Sequence, residues 1–544
     1  MTPEAGPAAG GAPGPAPTIP ALLAATASAR GDELAVDDGE RRLTYAELLD
    51  AARTFGAGLV AAGIQPLDRV AIWSPNGHRW IVAVLGLWQA GATLVPINTR
   101  FKGAEAAVIL RRSGARALVT ATDFLDTDYV AMLHAAGEDL PDLETIVVSR
   151  GPNVDRGAPG SGEIATVGWD DFLARAGDAE RTEVERRAAA VDRDDASDIL
   201  FTSGTTGVPK GVVMTHGRTL TVATDWVAMT GLRAGDRYLQ VNPYFHMFGL
   251  KAGILASVAA GAAMLPEAVF DIDRALARVA AEAVTVFPGA PTIYQTILDH
   301  PARDAHDLSS LRVAVTGAAD IPVELIRRID QELPFSLIVS GYGLTEGGTA
   351  TATGPDDDVE TIATTVGRAR PSFELRITGD GGAILGQGET GEVELRGDSI
   401  MAGYLDDPEA TAAALSPEGW LRTGDLGVLD EHGNLRIVGR SKDIFIVGGF
   451  NAYPAEIENL LTRHPGIAQA AVIGIPDERM GEVGMAFVVT AAGAAPSEDD
   501  IITWARNEMA NYKVPRRVAI VDALPLNATG KVEKNVLREQ AAAS

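Results

Sequence analysis

Short apolar runs alternate with longer helical patterns along the first two thirds of the chain. Between segments that carry apolar residues at helical spacing, runs rich in Val, Ile and Leu occur at residues 69–72, 93–97, 117–119 and 145–148. This alternation predicts an α/β architecture with largely parallel sheets. The most apolar stretch, residues 80–97, is interrupted by Gln89, Gly91 and Pro96. It therefore predicts a buried helix followed by a buried strand, and not a membrane span.

The pattern changes twice in the last third of the chain. After Phe373, strand-like segments separated by Gly-rich or Asp-rich turns predict a small β-subdomain at residues 374–377, 392–396 and 434–438. After Arg440, a helix, two strands and a second helix are predicted near residues 454–463, 470–473, 486–489 and 499–510. We therefore expect a flexible tail at residues 1–18. A large N-terminal domain of stacked αβ subdomains plus the β-subdomain should follow at residues 19–440, and a small mobile α+β domain at residues 441–544.

The amino-acid composition excludes some kinds of functional site and some classes of partner. The 544 residues include no Cys, which excludes disulfides, thiolate metal sites and a cysteine nucleophile. There are 73 acidic and 46 basic residues, a net charge of −27, and no Lys/Arg-rich run, which disfavours nucleic acid as a partner. Residues 1–18 lack the basic and apolar regions of a signal peptide. We therefore expect a cytoplasmic protein that has no membrane span and acts on small molecules.

Residues 201–212, which we call the phosphate loop, read FTSGTTGVPKGV after a strand-like run. Small hydroxyl residues and glycines let backbone N–H groups fold around a polyphosphate, and Lys210 can pair with it or hold the loop closed. Gly204 and Gly207 do not have the GxxxxGK(S/T) spacing of kinase-type loops. On residue types alone, an ordinary Ser/Thr/Gly turn is the alternative.

Six further motifs follow in order. They are YGLTE at 342–346, TGD at 423–425, GRSKD at 439–443, GGFN at 448–451, YPAEIE at 453–458 and GK at 530–531. With the phosphate loop, this set resembles the adenylate-forming superfamily of acyl-CoA synthetases, luciferases and peptide-synthetase adenylation domains. The resemblance covers nearly the whole chain after the tail. It implies an acid–thiol ligase that uses ATP and Mg²⁺ to form acyl-AMP and pyrophosphate, and then uses coenzyme A to form acyl-CoA and AMP.

The resemblance also implies roles for single residues. Thr345 would bond a phosphate and Glu346 would hold Mg²⁺, a hard cation that prefers oxygen ligands. Lys531 would reach the α-phosphate and the carboxylate during adenylation, where its charge offsets the repulsion between two anions. His246 matches an aromatic gate that moves aside for the carboxylate or the pantetheine arm. The implied ATP and AMP contacts are Thr202, Ser203, Gly204, Thr205, Thr206, Gly207, Lys210, Gly317, Ala318, Ala319, Gly341, Tyr342, Gly343, Asp425 and Arg440.

Without the resemblance, each of these residues has an ordinary alternative: a solvated lysine, a turn carboxylate or a histidine at the edge of the core. By resemblance, Lys442 takes the hinge position of the C-terminal domain, and the CoA channel is lined by Gly448, Gly449 and Phe450. Candidate acyl-pocket residues, some of which are core residues in the alternative interpretation, are Trp226, Tyr244, Phe248, Lys251, Pro291 and Tyr294. Residues 244–249 lack the Asp that amino-acid-activating relatives carry, which argues against an amino-acid substrate.

The acyl group is the least determined part of the prediction. Four segments resemble bacterial ligases that activate the bicyclic propanoate left by sterol-ring degradation: residues 72–76, 199–207, 251–255 and 445–454. The same branch of the family is expected to include ligases for polycyclic terpenoid acids that are made into antibiotics. We therefore expect a bulky alicyclic or polycyclic carboxylic acid. The alternatives are a medium-chain or long-chain fatty acid, an aryl acid, transfer to a carrier protein, a luciferase-like oxidase, and a binding protein without turnover. A homodimer is compatible with the sequence.

Two motifs are set aside. Residues 386–391 match the dinucleotide-binding fingerprint as a string, but they precede a predicted strand and not a helix, which indicates a turn. Asn527 begins an N-x-T glycosylation sequon, and nothing in the sequence indicates secretion.

Overall fold

The computed structural model describes residues 17–152, 164–202, 209–317, 323–440, 443–447, 450–477, 479–527 and 531–543. Most of the predicted tail therefore lies outside the described residues. The first helix, Ile19–Arg30, begins where the Thr18 side chain accepts a hydrogen bond from Ala21 N–H and Pro20 fits the first turn. Within the described residues, the chain forms four sheets before Arg440 and a fifth after it.

The largest sheet has eight strands. Six of them are parallel, in the order Ala196–Thr202, Thr93–Pro96, Arg69–Trp73, Ala115–Ala121, Thr145–Arg150 and Ala165–Gly168. Antiparallel pairing adds Lys210–Thr215 and Gly403–Tyr404 at one edge. Val70 and Ile72 face one apolar core and Ala71 and Trp73 the other, because side chains alternate along a strand. The accompanying helices are Tyr45–Ala61, His78–Gln89, Gly103–Ser113, Tyr129–Ala135, Trp169–Leu173 and Asp178–Ala190.

A second αβ layer contains two four-stranded sheets joined by bridges from Val286 to Tyr238 and Val313. One sheet has the order Arg237–Gln240, Ala263–Pro266, Leu34–Asp37 and Arg42–Thr44, and the other Val313–Gly317, Leu337–Leu344, Gly348–Ala352 and Arg368–Ala369. Both contain antiparallel pairs, so the predicted parallel character holds mainly in the largest sheet. The helices here are His216–Thr230, Met247–Gly249, Ala256–Ala260, Ile272–Glu282, Pro291–Leu298, Val323–Glu332 and Val359–Thr364, with a π-helix at Leu250–Leu255 and a 3₁₀ turn at Arg303–Ala305.

The β-subdomain predicted after Phe373 is an antiparallel sheet of Phe373–Thr378, Gly391–Gly397, Leu421–Leu429 and Leu435–Arg440. Ile377 and Val393 pack in the same core as Val70 and Ile72, which joins this sheet to the N-terminal body. Residues 386–391 precede a strand as predicted, and Gly386 N–H donates to the Glu389 carboxylate. The remaining elements are a 3₁₀ turn at Asp380–Gly382 and a helix at Pro408–Ala414.

The residues after Arg440 form a small α+β unit. Its strands are Phe445–Val447, Phe450–Ala452, Ile467–Asp477, Gly481–Thr490 and Arg517–Ile520, and its helices are Pro454–Leu461, Glu498–Glu508 and Lys534–Ala543. The unit has a core of its own, which includes Ile457, Val472 and Val488. The fold class, with a large N-terminal and a small C-terminal domain, is therefore confirmed, whereas the exact boundary stays a prediction.

The stretch at residues 80–97 forms the buried helix His78–Gln89 and the buried strand Thr93–Pro96, as predicted. No helix in the described part of the chain is long and apolar enough to cross a membrane.

Candidate active site

Thr345 and Glu346 lie in the turn of the hairpin formed by Leu337–Leu344 and Gly348–Ala352. The Met401 N–H donates to the Glu346 carbonyl oxygen (2.7 Å), which fixes the main chain of this turn. The Tyr404 hydroxyl donates to Glu346 Oε1 (3.0 Å). The hairpin tip thus meets the short edge strand Gly403–Tyr404, a contact between residues that are distant in sequence.

Lys210 stands beside the same tyrosine. Its Nζ lies 4.9 Å from the centroid of the Tyr404 ring, a distance at which an ammonium group is attracted to the ring face. Thr202 and Lys210 are paired across the antiparallel strands that flank the phosphate loop, so they close its base. Ser203, Gly204, Thr205, Thr206 and Gly207 lie outside the described residues.

Glu346 is suited to a magnesium ion that is held mainly by a nucleotide. Within the described residues, no group of three or more Asp, Glu, His or Cys side chains could enclose a metal by itself. Mg²⁺ in nucleotide sites is held by one or two carboxylates together with phosphate oxygens and water. Glu346 Oε1 accepts the Tyr404 hydroxyl, and no hydrogen bond to Oε2 occurs in the described ranges, which leaves that oxygen for a metal. A single carboxylate beside a phosphate loop therefore fits this ion.

Glycines lie at or near the ends of two neighbouring strands, one of which leads to the Thr345–Glu346 turn. Gly317 and Gly341 are register partners on parallel strands, and a Cβ on Gly317 would lie 2.8 Å from the Gly341 carbonyl oxygen. A Cβ on Gly343 would lie 2.2 Å from the Gly348 carbonyl oxygen. The glycines therefore let neighbouring strands lie closer together than residues with a Cβ would allow. Ala318 and Ala319 fall outside the described residues.

Tyr342, Asp425 and Arg440 form one polar group. The Tyr342 hydroxyl donates to Asp425 Oδ2 (2.5 Å), and Arg440 Nε donates to Asp425 Oδ1 (3.0 Å). Asp425 and Arg440 are register partners on adjacent strands, and the Asp425 side chain is 7% exposed. Burial, and then the charge of Asp425, raise the pKa of Tyr342 well above its ordinary value. A carboxylate has about four acceptor positions, so Asp425 keeps capacity for further donors such as ribose hydroxyls.

His246 caps the short helix Met247–Gly249. Its Nδ1 accepts a hydrogen bond from Phe248 N–H (3.2 Å). Burial, and then the positive charge of Lys531, lower the pKa of His246 to about 4. The ring is therefore neutral at pH 7. The charge of Lys531 thus links the C-terminal unit electrostatically to the predicted gate residue.

The loop that carries Lys531 is closed by Asn527. Asn527 N–H donates to the Lys531 carbonyl oxygen (2.8 Å), and Lys531 N–H donates to Asn527 Oδ1 (2.9 Å). Beyond the loop, Lys534 Nζ lies 2.7 Å from Glu458 Oε1 on the helix Pro454–Leu461. The two hydrogen bonds with Asn527 thus hold the main chain of Lys531, and the ion pair anchors the segment that follows it. Residues 528–530, Lys442, Gly448 and Gly449 and the side chain of Phe450 lie outside the described part of the structure.

Comparisons with known proteins decide the family. A model of the AMP-binding enzyme family matches residues 23–405, and one of the AMP-binding enzyme C-terminal domain matches residues 456–531. The chain belongs to the AMP-binding enzyme family. This confirms the adenylate-forming superfamily that the motifs indicate.

Relatives in the AMP-binding family match nearly the whole chain. The chain is 49% identical over 525 residues to a (7a-methyl-1,5-dioxo-octahydro-indenyl)propanoyl:CoA ligase of Rhodococcus jostii, which covers 96% of this chain and 98% of the relative. It is 36% identical over 510 residues to a feruloyl-CoA synthase of Amycolatopsis, with 93% and 95% covered. A solved anthranilate CoA ligase, AuaEII with anthranoyl-AMP, has a TM-score of 0.85 at 28% identity, with 97% and 98% covered. The predicted enzyme class, an AMP-forming acid–thiol ligase, is confirmed.

The predicted acyl-pocket residues separate into two groups. Trp226 and Phe248 pack edge to face with ring centroids 5.2 Å apart, and Phe248 is half-buried. Pro291 is the first residue of the helix Pro291–Leu298. These three stay candidates for contact with an acyl group.

Tyr244, Tyr294 and Lys251 are buried and their polar atoms have partners inside the protein, so their contact with an acyl group stays a prediction. The Tyr244 hydroxyl donates to Gln240, and the Tyr294 hydroxyl donates to the Phe287 carbonyl oxygen (2.6 Å). Lys251 Nζ lies 2.9 Å from Asp198 Oδ1.

Sequence reasoning missed Tyr404 and Asn527. Tyr404 is 58 positions from Glu346 along the chain, so no local pattern connects them. For Asn527 a local signal existed, because Asn side chains commonly bond nearby backbone groups in turns.

Proposed function

We propose that the protein is an ATP-dependent carboxylate–CoA ligase that activates a bulky alicyclic or polycyclic acid. The observation that carries the reaction type is the contact of Tyr404 with both Glu346 and Lys210, which places a carboxylate and an ammonium group at the base of the phosphate loop. We infer that Lys531, a C-terminal cation whose charge lowers the pKa of His246, joins them and Asp425 at one site. This arrangement suits the joining of two anions, a carboxylate and a nucleotide triphosphate.

The first half-reaction joins the acid to AMP. A carboxylate oxygen attacks the α-phosphorus of ATP, the bond to the β-phosphate oxygen breaks, and pyrophosphate leaves. Lys531 lowers the repulsion between the reacting anions and stabilises the charge that develops in an in-line displacement. Asp425 and Arg440 hold the ribose, and Lys210 holds the departing phosphates. Glu346 would hold Mg²⁺, which supplies charge neutralisation on the phosphates when it is bound.

The second half-reaction transfers the acyl group to coenzyme A. The CoA thiol loses its proton and attacks the acyl carbon, and the bond to the AMP oxygen breaks. We infer that His246, whose ring is neutral, shields the mixed anhydride from water until it moves aside. A turn of the C-terminal domain about Lys442 would bring Gly448, Gly449 and Phe450 to the pantetheine arm.

The substrate class is supported by two relatives with the same acyl group. The ligases of Rhodococcus jostii and Mycobacterium tuberculosis, each 49% identical to this chain, are both named for a propanoyl group on a fused bicyclic skeleton. The apolar rings of Trp226 and Phe248 suit such a skeleton, because it offers a large apolar surface. An aryl acid is the second candidate, since the feruloyl-CoA synthase covers a similar length at 36% identity.

A substrate panel tests this proposal. The protein is incubated with ATP, Mg²⁺ and CoA and, in turn, an octahydroindenyl propanoic acid, a medium-chain fatty acid and ferulic acid, and acyl-CoA formation is followed by mass spectrometry. We expect kcat/KM for the bicyclic acid to exceed that for the other two by at least about tenfold, a difference of about 1.4 kcal/mol in transition-state binding. Preference for ferulate would move the substrate class to aryl acids. Pyrophosphate release without any CoA thioester would replace CoA with a carrier protein as the acceptor.

A further inference from the structure

Tyr404 has a fixed position at the edge of the largest sheet. Its strand pairs antiparallel with Lys210–Thr215, with Tyr404 opposite Val212. On its other side, Tyr404 N–H donates to Thr411 Oγ1 (2.9 Å) and its carbonyl oxygen accepts from Asp407 N–H (3.3 Å). The backbone is held from both sides, which fixes the position from which the side chain extends.

The side chain contacts two groups of opposite charge. Its hydroxyl donates to Glu346 Oε1 (3.0 Å), and the face of its ring lies 4.9 Å from Lys210 Nζ. A phenol is protonated at neutral pH, so the Tyr404 O–H is available as a donor to the carboxylate.

The two charges are not paired with each other. Among the described residues, neither Lys210 nor Glu346 forms an ion pair with another side chain. Glu346 instead accepts the Tyr404 hydroxyl, and Lys210 lies over the Tyr404 ring. A direct ion pair would compete with the metal for the carboxylate and with the phosphates for the ammonium group. The tyrosine offers each charge a weaker, neutral partner, which a metal or a phosphate can supplement without breaking a strong bond.

We propose that Tyr404 is a positioning residue that holds Glu346 in the orientation that receives the nucleotide-bound metal and keeps Lys210 from pairing with it. This inference rests on the proposed function, because it takes Glu346 as the metal ligand. Tyr404 acts through its hydroxyl on Glu346 and through its ring on Lys210. The two contributions are separable by substitution.

The test uses two variants and a binding measurement. Tyr404→Phe removes the hydroxyl and keeps the ring, and Tyr404→Leu removes both. The Kd for Mn²⁺ is measured by electron paramagnetic resonance on the full chain saturated with a non-hydrolysable ATP analogue. We expect Tyr404→Phe to raise this Kd about tenfold, as expected for the loss of one hydrogen bond to a charged group, with the Kd for the analogue within about twofold of wild type. Tyr404→Leu should weaken both.

A matched control is Tyr129→Phe. Tyr129 also donates one hydroxyl hydrogen bond, to the Thr99 carbonyl oxygen, but it lies in the core on one face of the largest sheet and touches none of the proposed site residues. It should leave the Kd for Mn²⁺ unchanged. Because Tyr404 acts through Glu346, the double variant Tyr404→Phe/Glu346→Gln should bind Mn²⁺ no more weakly than Glu346→Gln alone.

The outcomes separate the two proposals. Wild-type affinity for Mn²⁺ in Tyr404→Phe, or full additivity in the double variant, would overturn the role of Tyr404. Absence of pyrophosphate release by the wild-type protein with every acid of the panel would instead overturn the proposed function.

Discussion

Lys251 and Asp198 form an ion pair in the interior, with Nζ 2.9 Å from Oδ1 and side chains that are 1% and 0% exposed. The Ser197 and Thr219 hydroxyls each donate to Asp198 Oδ2 at 2.7 Å, so both carboxylate oxygens have partners. Burial lowers the pKa of Lys251, and the charge of Asp198 opposes this effect. The pair ties the strand that leads into the phosphate loop to the π-helix that follows His246.

Removing one member of this pair should be costly. Lys251→Met leaves the Asp198 charge buried without its cation, and we expect the free energy of unfolding to fall by about 3–5 kcal/mol in urea titrations. Lys251→Met/Asp198→Asn should recover most of the loss, because no unpaired charge remains. The exposed Lys102→Met is the control and should change stability by less than about 0.5 kcal/mol. Wild-type stability of the single variant would contradict the account of the ion pair.

His216 should make the protein sensitive to acid. It is 1% exposed, and burial lowers its pKa to about 4 from 6.5, despite Asp198 and Asp195 nearby. Between pH 6.5 and pH 4, His216 is protonated in the unfolded chain but neutral in the folded protein. The free energy of unfolding is therefore highest near pH 7 and falls as the pH drops through 6.5 towards 4. The histidine alone should account for about 2 kcal/mol between pH 7 and pH 5.

The measurement compares urea unfolding at the two pH values. His216→Asn keeps an acceptor for Ile19 N–H and cannot become charged, so its loss between pH 7 and pH 5 should be smaller than that of wild type. His432→Asn, at a side chain that is 71% exposed, should show the wild-type loss. Equal losses in all three proteins would refute the assignment to His216.

The parts of the fold and the site that could be predicted are those that depend on residues close together in the sequence. The strands at residues 69–72, 93–97 and 145–148 were found because parallel strands buried on both faces have continuous apolar runs. Thr345, Glu346 and Asp425 are predicted site residues because of their motifs, and in the structure Tyr404 contacts both Glu346 and Lys210.

The features that were not predicted depend on contacts between residues that are far apart in the sequence. The ion pair of Lys251 was not predicted, because its partner Asp198 lies on the strand Ala196–Thr202 and no local pattern connects the two residues. The antiparallel pairs of the second αβ layer were also missed, since strand direction follows from topology and not from apolar spacing.

Lys531→Ala should separate the two half-reactions. Loss of one preorganised charge at the reacting phosphate should lower the rate of acyl-adenylate formation by about 10²–10³, measured by pyrophosphate release. Thioester formation from synthetic acyl-adenylate should change far less, because no charged phosphate is attacked in that step. Lys513→Ala, which removes a C-terminal lysine paired with Glu456, is the matched control and should keep both rates. Equal losses in the two half-reactions would remove Lys531 from the adenylation step.

Asn527→Ala should resemble a weaker form of Lys531→Ala. Without the side-chain acceptor for Lys531 N–H, the lysine loop loses one of its two closing hydrogen bonds, and we expect about a tenfold slower adenylation at an unchanged Tm. Asn527→Asp keeps the acceptor and should restore much of the rate. An unchanged adenylation rate in Asn527→Ala, or no recovery in Asn527→Asp, would show that this contact does not position Lys531.

The most direct test of the central claim follows the oxygen that links the acid to AMP. If the carboxylate attacks the α-phosphorus, an acid labelled with ¹⁸O in both carboxylate oxygens gives AMP that carries one ¹⁸O atom after thioester formation, because the thiol breaks the bond between the acyl carbon and that oxygen. Mass spectrometry of the AMP from a reaction with ATP, Mg²⁺, CoA and the labelled bicyclic acid measures this transfer. Singly labelled AMP is the predicted result. Unlabelled AMP, or ADP with label in inorganic phosphate, would contradict an adenylate-forming mechanism.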